Sequence, residues 1–102
     1  MIALSGFDWD DGNREKCQRH GVSIGEIEAL FLGLPRIAQD PRHSNLEDRF
    51  IAVGRNEVGK PLFVAFTFRA FEGTLRIRPV SARYMHQKEA LRYGQARSSS
   101  EN

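Results

Sequence analysis

The last third of this 102-residue sequence concentrates positively charged side chains. Residues 75–93 hold a single acidic residue, Glu89, against six Lys, Arg and His residues: Arg76, Arg78, Arg83, His86, Lys88 and Arg92. The net charge is −3 over residues 1–50 (6 Lys/Arg, 9 Asp/Glu) and +5 over residues 51–102 (9 Lys/Arg, 4 Asp/Glu). Such an asymmetry predicts a basic surface of the kind that contacts nucleic acid, unless folding mixes the two halves in space.

Cations accompanied by a few proton-transfer groups suit the cleavage of RNA through its own 2′-hydroxyl. The enzyme then has to orient that hydroxyl, take up its proton, hold the charged phosphorane and protonate the leaving oxygen. Arg and Lys would stabilise the developing charge, and His, Glu or Tyr would transfer the protons. The sequence has no metal-binding spacing of His and Cys, no Gly-x-Ser-x-Gly and no glycine-rich phosphate loop. We therefore expect neither a metal site nor a cofactor.

Five residues are candidates for the catalytic groups. Arg83 follows two small residues that allow a ligand to come close, and His86 lies near the start of the last predicted helix. His20 precedes a helix-stopping glycine, where a histidine often only complements the helix dipole. Lys16 lies one turn before His20, and His43 lies in a polar loop, a usual location for functional residues. The alternative for each histidine is an exposed side chain without a catalytic role.

Five further cations are candidates for RNA contacts: Arg49, Arg76, Arg78, Lys88 and Arg92. Alternation along the predicted strand places Arg76 and Arg78 on one face and Leu75 and Ile77 on the other. An RNA phosphate path could therefore meet both arginines, although a solvated strand face has the same pattern. Lys88 and Arg92 belong to the last predicted helix, for which a merely solvated face is again the alternative.

Spacing and capping signals predict elements in the order β-α-α-(β)-β-β-β-α. A first helix begins at Asp10 or Asp11 and stops at Gly21, and Ser23-x-x-Glu26 is a capping box that begins the second. The predicted strands are residues 7–10, 36–39, 49–55, 62–68 and 74–80, and the last helix is 85–93. Consecutive strands joined by short turns favour one antiparallel sheet, with two helices before it and one after it, which is an α+β fold.

Two details of this scheme depend on single residues. Pro79 cannot donate to a strand ladder, so the last strand should end there or lie at an edge. Gly94 should stop the last helix. The lone Cys17 excludes an intramolecular disulfide.

The length suits a single domain, which we assign to residues 1–94, with a disordered tail at 95–102. The longest apolar run, Pro61 to Phe68, is too short to span a bilayer, and Met1 to Gly6 lacks the pattern of a signal peptide. These features predict a cytoplasmic protein without membrane contact.

Three segments, in order, resemble the BrnT toxins. The opening matches their Trp-Asp, Lys/Asn helix and His-Gly-Val/Ile pattern at Trp9, Asp10, Lys16, His20, Gly21, Val22 and Phe31. The middle follows their D…H…E-x-R…G pattern at Asp40, His43, Glu47, Arg49 and Gly54. Their I-R-I-I-S-A-R is similar to Leu75–Arg83, which carries an additional Arg78 and Pro79, with Glu89 and Tyr93 beyond. The resemblance covers roughly residues 7–93.

The resemblance implies a RelE-like fold, a metal-independent ribonuclease activity and inhibition of translation. It implies a BrnA-type ribbon-helix-helix antitoxin that covers the toxin, so that operator DNA is met only through the antitoxin. The arginine of the Ser-Ala-Arg motif is implied as an active group, which points to Arg83, and with it Arg76, His20 and Lys16. The first hypothesis is therefore a ribonuclease toxin. The alternative is a non-catalytic module that binds nucleic acid or a protein, such as a co-repressor.

Overall fold

The computed structural model describes residues 4–40 and 48–95. The strands are β1 (Leu4–Phe7), β2 (Arg36–Gln39), β3 (Phe50–Arg55), β4 (Pro61–Phe71) and β5 (Thr74–Tyr84). Helices α1 (Asp11–Gln18) and α2 (Ile24–Leu32) lie between β1 and β2 in the chain, and α3 (Gln87–Ala90) follows β5. The predicted α+β fold and element order are confirmed. The predicted tail, except for Gln95, lies outside the described residues, as does His43.

The five strands form one sheet in the order β1-β5-β4-β3-β2. The strands β2 to β5 pair antiparallel with their neighbours, which the short turns between β3 and β4 and between β4 and β5 favour. The first strand, β1, instead pairs parallel with β5, which makes the sheet mixed. Residues 8–73 separate these two strands, so the short-turn rule does not constrain their relative direction.

Local capping explains where α1 and α2 begin. The Asp10 carboxylate accepts a hydrogen bond from the Asn13 main-chain N–H (2.9 Å), and the Asn13 side chain accepts one from Asp10 N–H (2.7 Å). Ser23 and Glu26 exchange the same pair of bonds at α2, which confirms the predicted capping box. Gly21, with φ +93°, makes the turn between the two helices, a backbone region that favours glycine.

Hydrophobic side chains pack on both faces of the sheet. On one face, Leu62, Val64 and Phe66 of β4 pack with buried residues of α1 and α2. On the other face, Phe63 and Ala65 pack with Met85, Ala90 and Tyr93, which belong to the C-terminal segment around α3. The helices thus enclose the sheet from both sides, and β4 is the central buried strand that its apolar sequence predicts.

The last strand does not end at Pro79, so the predicted boundary is wrong. The strand continues to Tyr84, and Pro79 itself is buried. Pairing with β1 ends before Pro79 is reached. The last main-chain hydrogen bond there runs from Asp8 N–H to the Ile77 carbonyl (2.8 Å). The pairing with β4 shifts register at Pro79 and Val80, which form a β-bulge. A proline without an N–H is tolerated at such a position.

The C-terminal helical segment begins and ends two residues later than predicted, and only its first part is α-helical. Met85 lies before it, where its N–H donates to the Pro61 carbonyl (3.0 Å), and α3 covers only four residues. A π-helical turn at Leu91–Gln95 follows and includes Gly94, so the glycine does not stop the helix as expected. No helix among the described residues is long and apolar enough to cross a membrane.

Candidate nucleic-acid interface

Four arginines of the β4–β5 hairpin project from the same side of the sheet. Residues directly opposite each other in an antiparallel pair share a face. The pairs on this side are Phe63 with Arg83, Ala65 with Ser81, Thr67 with Arg78, and Arg69 with Arg76. We call this side, with Arg69, Arg76, Arg78 and Arg83, the arginine face. Arg78 and Arg83 are an odd number of residues apart, so they share the face only because Val80 is the extra residue of the bulge.

The outer end of the arginine face places two like charges directly opposite each other. Arg69 and Arg76 are cross-strand partners, an arrangement that is destabilising in the absence of a counter-charge. The guanidinium carbon of Arg76 lies 3.6 Å from the centroid of the Phe71 ring, and Arg69 Nη1 lies 3.9 Å from Asp8 Oδ2. The repulsion is therefore only partly offset, and a polyanion on this face would relieve it.

Arg78 ties β5 to the start of α1. Its Nη1 lies 3.1 Å from Asp8 Oδ2, and its Nη2 lies 2.8 Å from Asp10 Oδ2. Hydrogen bonds from the Asn13 main chain and from Arg78 lower the pKa of the Asp10 carboxyl, and the bond to Asp10 raises the pKa of Arg78. Arg78 is therefore a fixed cation with a partly shielded charge.

An open depression of about 660 Å³ lies beside Arg78, between the start of α1 and the bulge of β5. Four cations line it: Lys16, Arg49, Arg69 and Arg78. The carboxylates of Asp10 and Asp11 lie on the same rim. The structure thus brings together three residues that the sequence nominates separately and adds Arg69 to them.

Arg83 shares the arginine face but is held by α3. Its Nη1 and Nη2 donate to the two carboxylate oxygens of Glu89 at 2.7 and 2.6 Å, and its guanidinium carbon lies 4.3 Å from the centroid of the Phe63 ring. The Arg83 side chain is 40% exposed, so a ligand can still reach it. The hydrogen bonds from Arg83 lower the pKa of the Glu89 carboxyl.

This pairing predicts a pH dependence of stability. Glu89 titrates below its ordinary pKa of 4.5 in the folded protein, so its pair with Arg83 stabilises the fold above that pH. The contribution is lost as the pH falls through the lowered folded value. We expect Glu89→Gln to lower the melting temperature at pH 7, and the difference from wild type to shrink as the pH falls below 4.5. A constant difference across thermal unfolding scans from pH 7 to pH 3 would contradict this.

Of the candidate histidines, the two that the structure describes, His20 and His86, do not line the depression. His20 is exposed and follows the end of α1 at Gln18, so the one-turn spacing from Lys16 does not place the two on one helix face. His86 is the exposed N-cap residue of α3, three positions after Arg83. Lys88 and Arg92 are exposed on α3 and the turn that follows it.

Arg69 is a site residue that the sequence reasoning missed, although a signal for it exists. Glu72 and Gly73 both have positive φ (48° and 81°), as in a two-residue hairpin turn. A two-residue loop fixes the register so that Phe71 lies opposite Thr74 and, two positions on, Arg69 lies opposite Arg76. Reading the turn as a two-residue loop would have found Arg69. Its Asp8 neighbour depends on the parallel pairing of β1 and gives no local signal.

A second polar cluster joins α2 to the far end of β5. The Tyr84 hydroxyl donates to Glu26 Oε1 (2.8 Å), and Asn56 Nδ2 donates to Glu26 Oε2 (2.8 Å). The Lys60 amine lies 4.0 Å from the centroid of the Tyr84 ring. The hydrogen bond to Glu26 raises the pKa of Tyr84. The Glu26 carboxylate accepts hydrogen bonds from Ser23 N–H in the capping box and from the Asn56 and Tyr84 side chains. The cluster therefore joins α2, the turn between β3 and β4, and β5.

The described part of the chain gives little support to thiol chemistry at Cys17 or to metal binding. Cys17 is fully buried, and burial raises the pKa of its thiol to about 11, so it stays protonated and packs in the core. Residues 4–40 and 48–95 contain no group of three His, Cys, Asp or Glu side chains placed to hold a metal ion.

The comparison with protein families gives a match over most of the chain. A family model described as the ribonuclease toxin, BrnT, of type II toxin–antitoxin systems matches residues 9–89. The matched range includes the lining of the depression, the bulge and the Arg83–Glu89 pair. No curated protein matches the chain.

Proposed function

Because the chain belongs to the family of BrnT ribonuclease toxins of type II toxin–antitoxin systems, we propose that it cleaves RNA on the arginine face, without a metal ion. The observation that carries the proposal is the placement of four arginines on one side of the β4–β5 hairpin. A cross-strand pair of like charges is costly unless an anion lies over it. The phosphate backbone of RNA is such an anion.

The roles in the reaction follow from the chemistry of each group. Phosphates would lie over Arg76, Arg78 and Arg83, with Arg69 and the neighbouring depression extending the path. Preorganised guanidinium groups would stabilise the charge that develops on the phosphorane. A histidine would transfer protons, and the candidates are His20, His43 and His86. Of the two that the structure describes, His86 is nearer Arg83 in the chain.

The carboxylates of Asp8, Asp10 and Glu89 have a further role in this proposal. They hold the donors of Arg78 and Arg83 in fixed positions before RNA arrives. Fixed donors need little reorganisation when charge develops, which is the condition under which they stabilise a transition state best. An RNA phosphate would share these donors with the carboxylates.

The cellular consequence of this activity would be inhibition of translation through the loss of RNA. The family implies an antitoxin partner and an RNA target. We propose that the antitoxin is a BrnA-type ribbon-helix-helix protein, that operator DNA is contacted only through it, and that the protein acts in the cytoplasm. The similarity of residues 7–93 to the BrnT pattern supports these assignments.

The direct test is cleavage of single-stranded RNA by the purified protein in EDTA. We expect cleavage that persists in EDTA and leaves 2′,3′-cyclic phosphate ends, because the 2′-hydroxyl is the nucleophile. Cleavage that stops in EDTA would refute metal independence. Tight, salt-sensitive RNA binding with no cleavage after long incubation would instead favour the non-catalytic module, since phosphate contacts alone give that salt dependence.

A further inference from the structure

A groove on the side of the molecule near β2 is lined mainly by apolar side chains. It lies between the end of α2, the start of β2 and the C-terminal segment, and it encloses about 260 Å³. Its larger apolar lining residues include Leu30, Leu34, Pro35, Val53, Met85 and Tyr93. The charged residues among its described lining are Arg36 and Arg55, and none of that lining is acidic. We call it the α2–β2 groove.

The α2–β2 groove has a large, exposed apolar side chain in its lining. Leu34, which lines the groove, is 89% exposed, and Leu32, two residues before it in the chain, is 80% exposed. Clustered apolar side chains of this kind mark interaction sites more often than single exposed ones do.

The backbone at Leu34 is strained, although the leucine side chain is almost fully exposed. Leu34 has φ +61°, in the left-handed region that favours glycine and is unusual for a bulky residue. A glycine there would relieve the strain, and almost none of the leucine side chain is buried in this chain. Strained positions of this type are concentrated at functional sites. The side chain therefore contributes little to this fold and is available to a partner.

We infer that the α2–β2 groove binds an acidic segment of the antitoxin that carries large apolar side chains. The volume is below the range of about 300–1,000 Å³ usual for small-molecule sites, so a few side chains of a protein partner fit it better. Arg36 and Arg55 donate to the main-chain carbonyls of Tyr93 and Gly59, contacts that do not neutralise their charge. Acidic residues in the partner would do so. The identity of the partner rests on the proposed function.

The test measures the affinity of the purified protein for the antitoxin encoded beside its gene, by titration calorimetry. Leu34→Gly should weaken binding at least about tenfold, because it removes the most exposed large apolar side chain of the groove lining, the proposed anchor for the partner. Its melting temperature should not fall, because glycine accepts the positive φ. Arg55→Glu should also weaken binding at least about tenfold, since it places like charges against the acidic segment. Leu4→Gly, at the opposite edge of the sheet, should bind as wild type does.

Two results would overturn the inference: wild-type affinity in both groove variants, or loss of affinity only together with loss of thermal stability. The same samples separate this inference from the proposed function, because Leu34 is not on the arginine face. If wild type cleaves RNA and the groove variants bind the antitoxin normally, the docking site is wrong and the function stands. If the groove variants bind weakly but wild type leaves RNA intact, the docking site stands and the function is wrong.

Discussion

Replacing Arg83 with alanine should lower the rate of RNA cleavage at least about tenfold, because one preorganised charge-stabilising donor is commonly worth more than that. The measurement is the initial rate on single-stranded RNA in EDTA, at enzyme concentrations where the fold is intact by circular dichroism. Arg83 is the arginine of the Ser-Ala-Arg motif and the proposed charge-stabilising group, and 40% of its side chain is accessible.

The structure supplies a matched control for this experiment. Arg83→Ala also breaks the ion pair with Glu89, so lost activity alone could reflect a displaced α3. Glu89→Gln weakens the same pair but keeps the guanidinium, so it should retain activity within about threefold, well short of the loss expected for a missing donor. Equal losses in the two variants would show that the intact Arg83–Glu89 pair, and not the guanidinium alone, determines the rate. Full activity in Arg83→Ala would refute the assignment of Arg83 to the active site.

Replacing Phe66 with alanine should lower the free energy of unfolding by about 3–5 kcal/mol. Phe66 is fully buried at the centre of β4, and its ring lies within 5.6 Å, centroid to centroid, of three other rings: those of Phe31, Phe50 and Phe68. A domain of this size has a stability of only about 5–15 kcal/mol, so the loss is a large share of it. The melting temperature should fall by more than about 12 °C.

Phe71 offers the same substitution in an exposed setting of the same strand. It is 41% exposed, and its recorded ring contact is with the Arg76 guanidinium. Phe71→Ala should therefore cost only about 1 kcal/mol, the size of an exposed cation–π contact with some lost area. Urea unfolding of both variants at pH 7 gives the comparison. Similar losses of unfolding free energy in the two variants would mean that Phe66 is no better buried than Phe71, contrary to the packing of β4.

The parts of the fold that the sequence predicts well are those with local causes. The capping box at Ser23 and the apolar run of β4 are each specified by residues within a few positions of one another, so spacing alone identifies them. The parallel pairing of β1 with β5 and the bulge at Pro79 depend on residues that are distant in the chain. A single residue such as Pro79 favours a strand end or a bulge equally well, and only the pairing with β4 decides between them.

The same distinction applies to the candidate site. The cations at Lys16, Arg49 and Arg78 could be nominated from charge and family pattern, but their meeting in one depression depends on how α1 packs against β5. The carboxylates that hold the arginines were not identified as their partners, since Asp8 and Asp10 are far from Arg78 in the chain. Charge counting finds cations, and only three-dimensional packing shows which of them are already paired.

The bulge in β5 also determines how the length of this chain can vary. Val80 has no opposite residue in β4, so a chain that lacked it would keep Pro79 opposite Phe66 and Ser81 opposite Ala65. Every other side chain of the hairpin would stay on its present face. Loss of one residue from the regular part of a strand instead moves the neighbouring side chains to the other face. Position 80 is therefore where a one-residue gap can enter an alignment of this strand without separating Arg76 and Arg78 from Arg83.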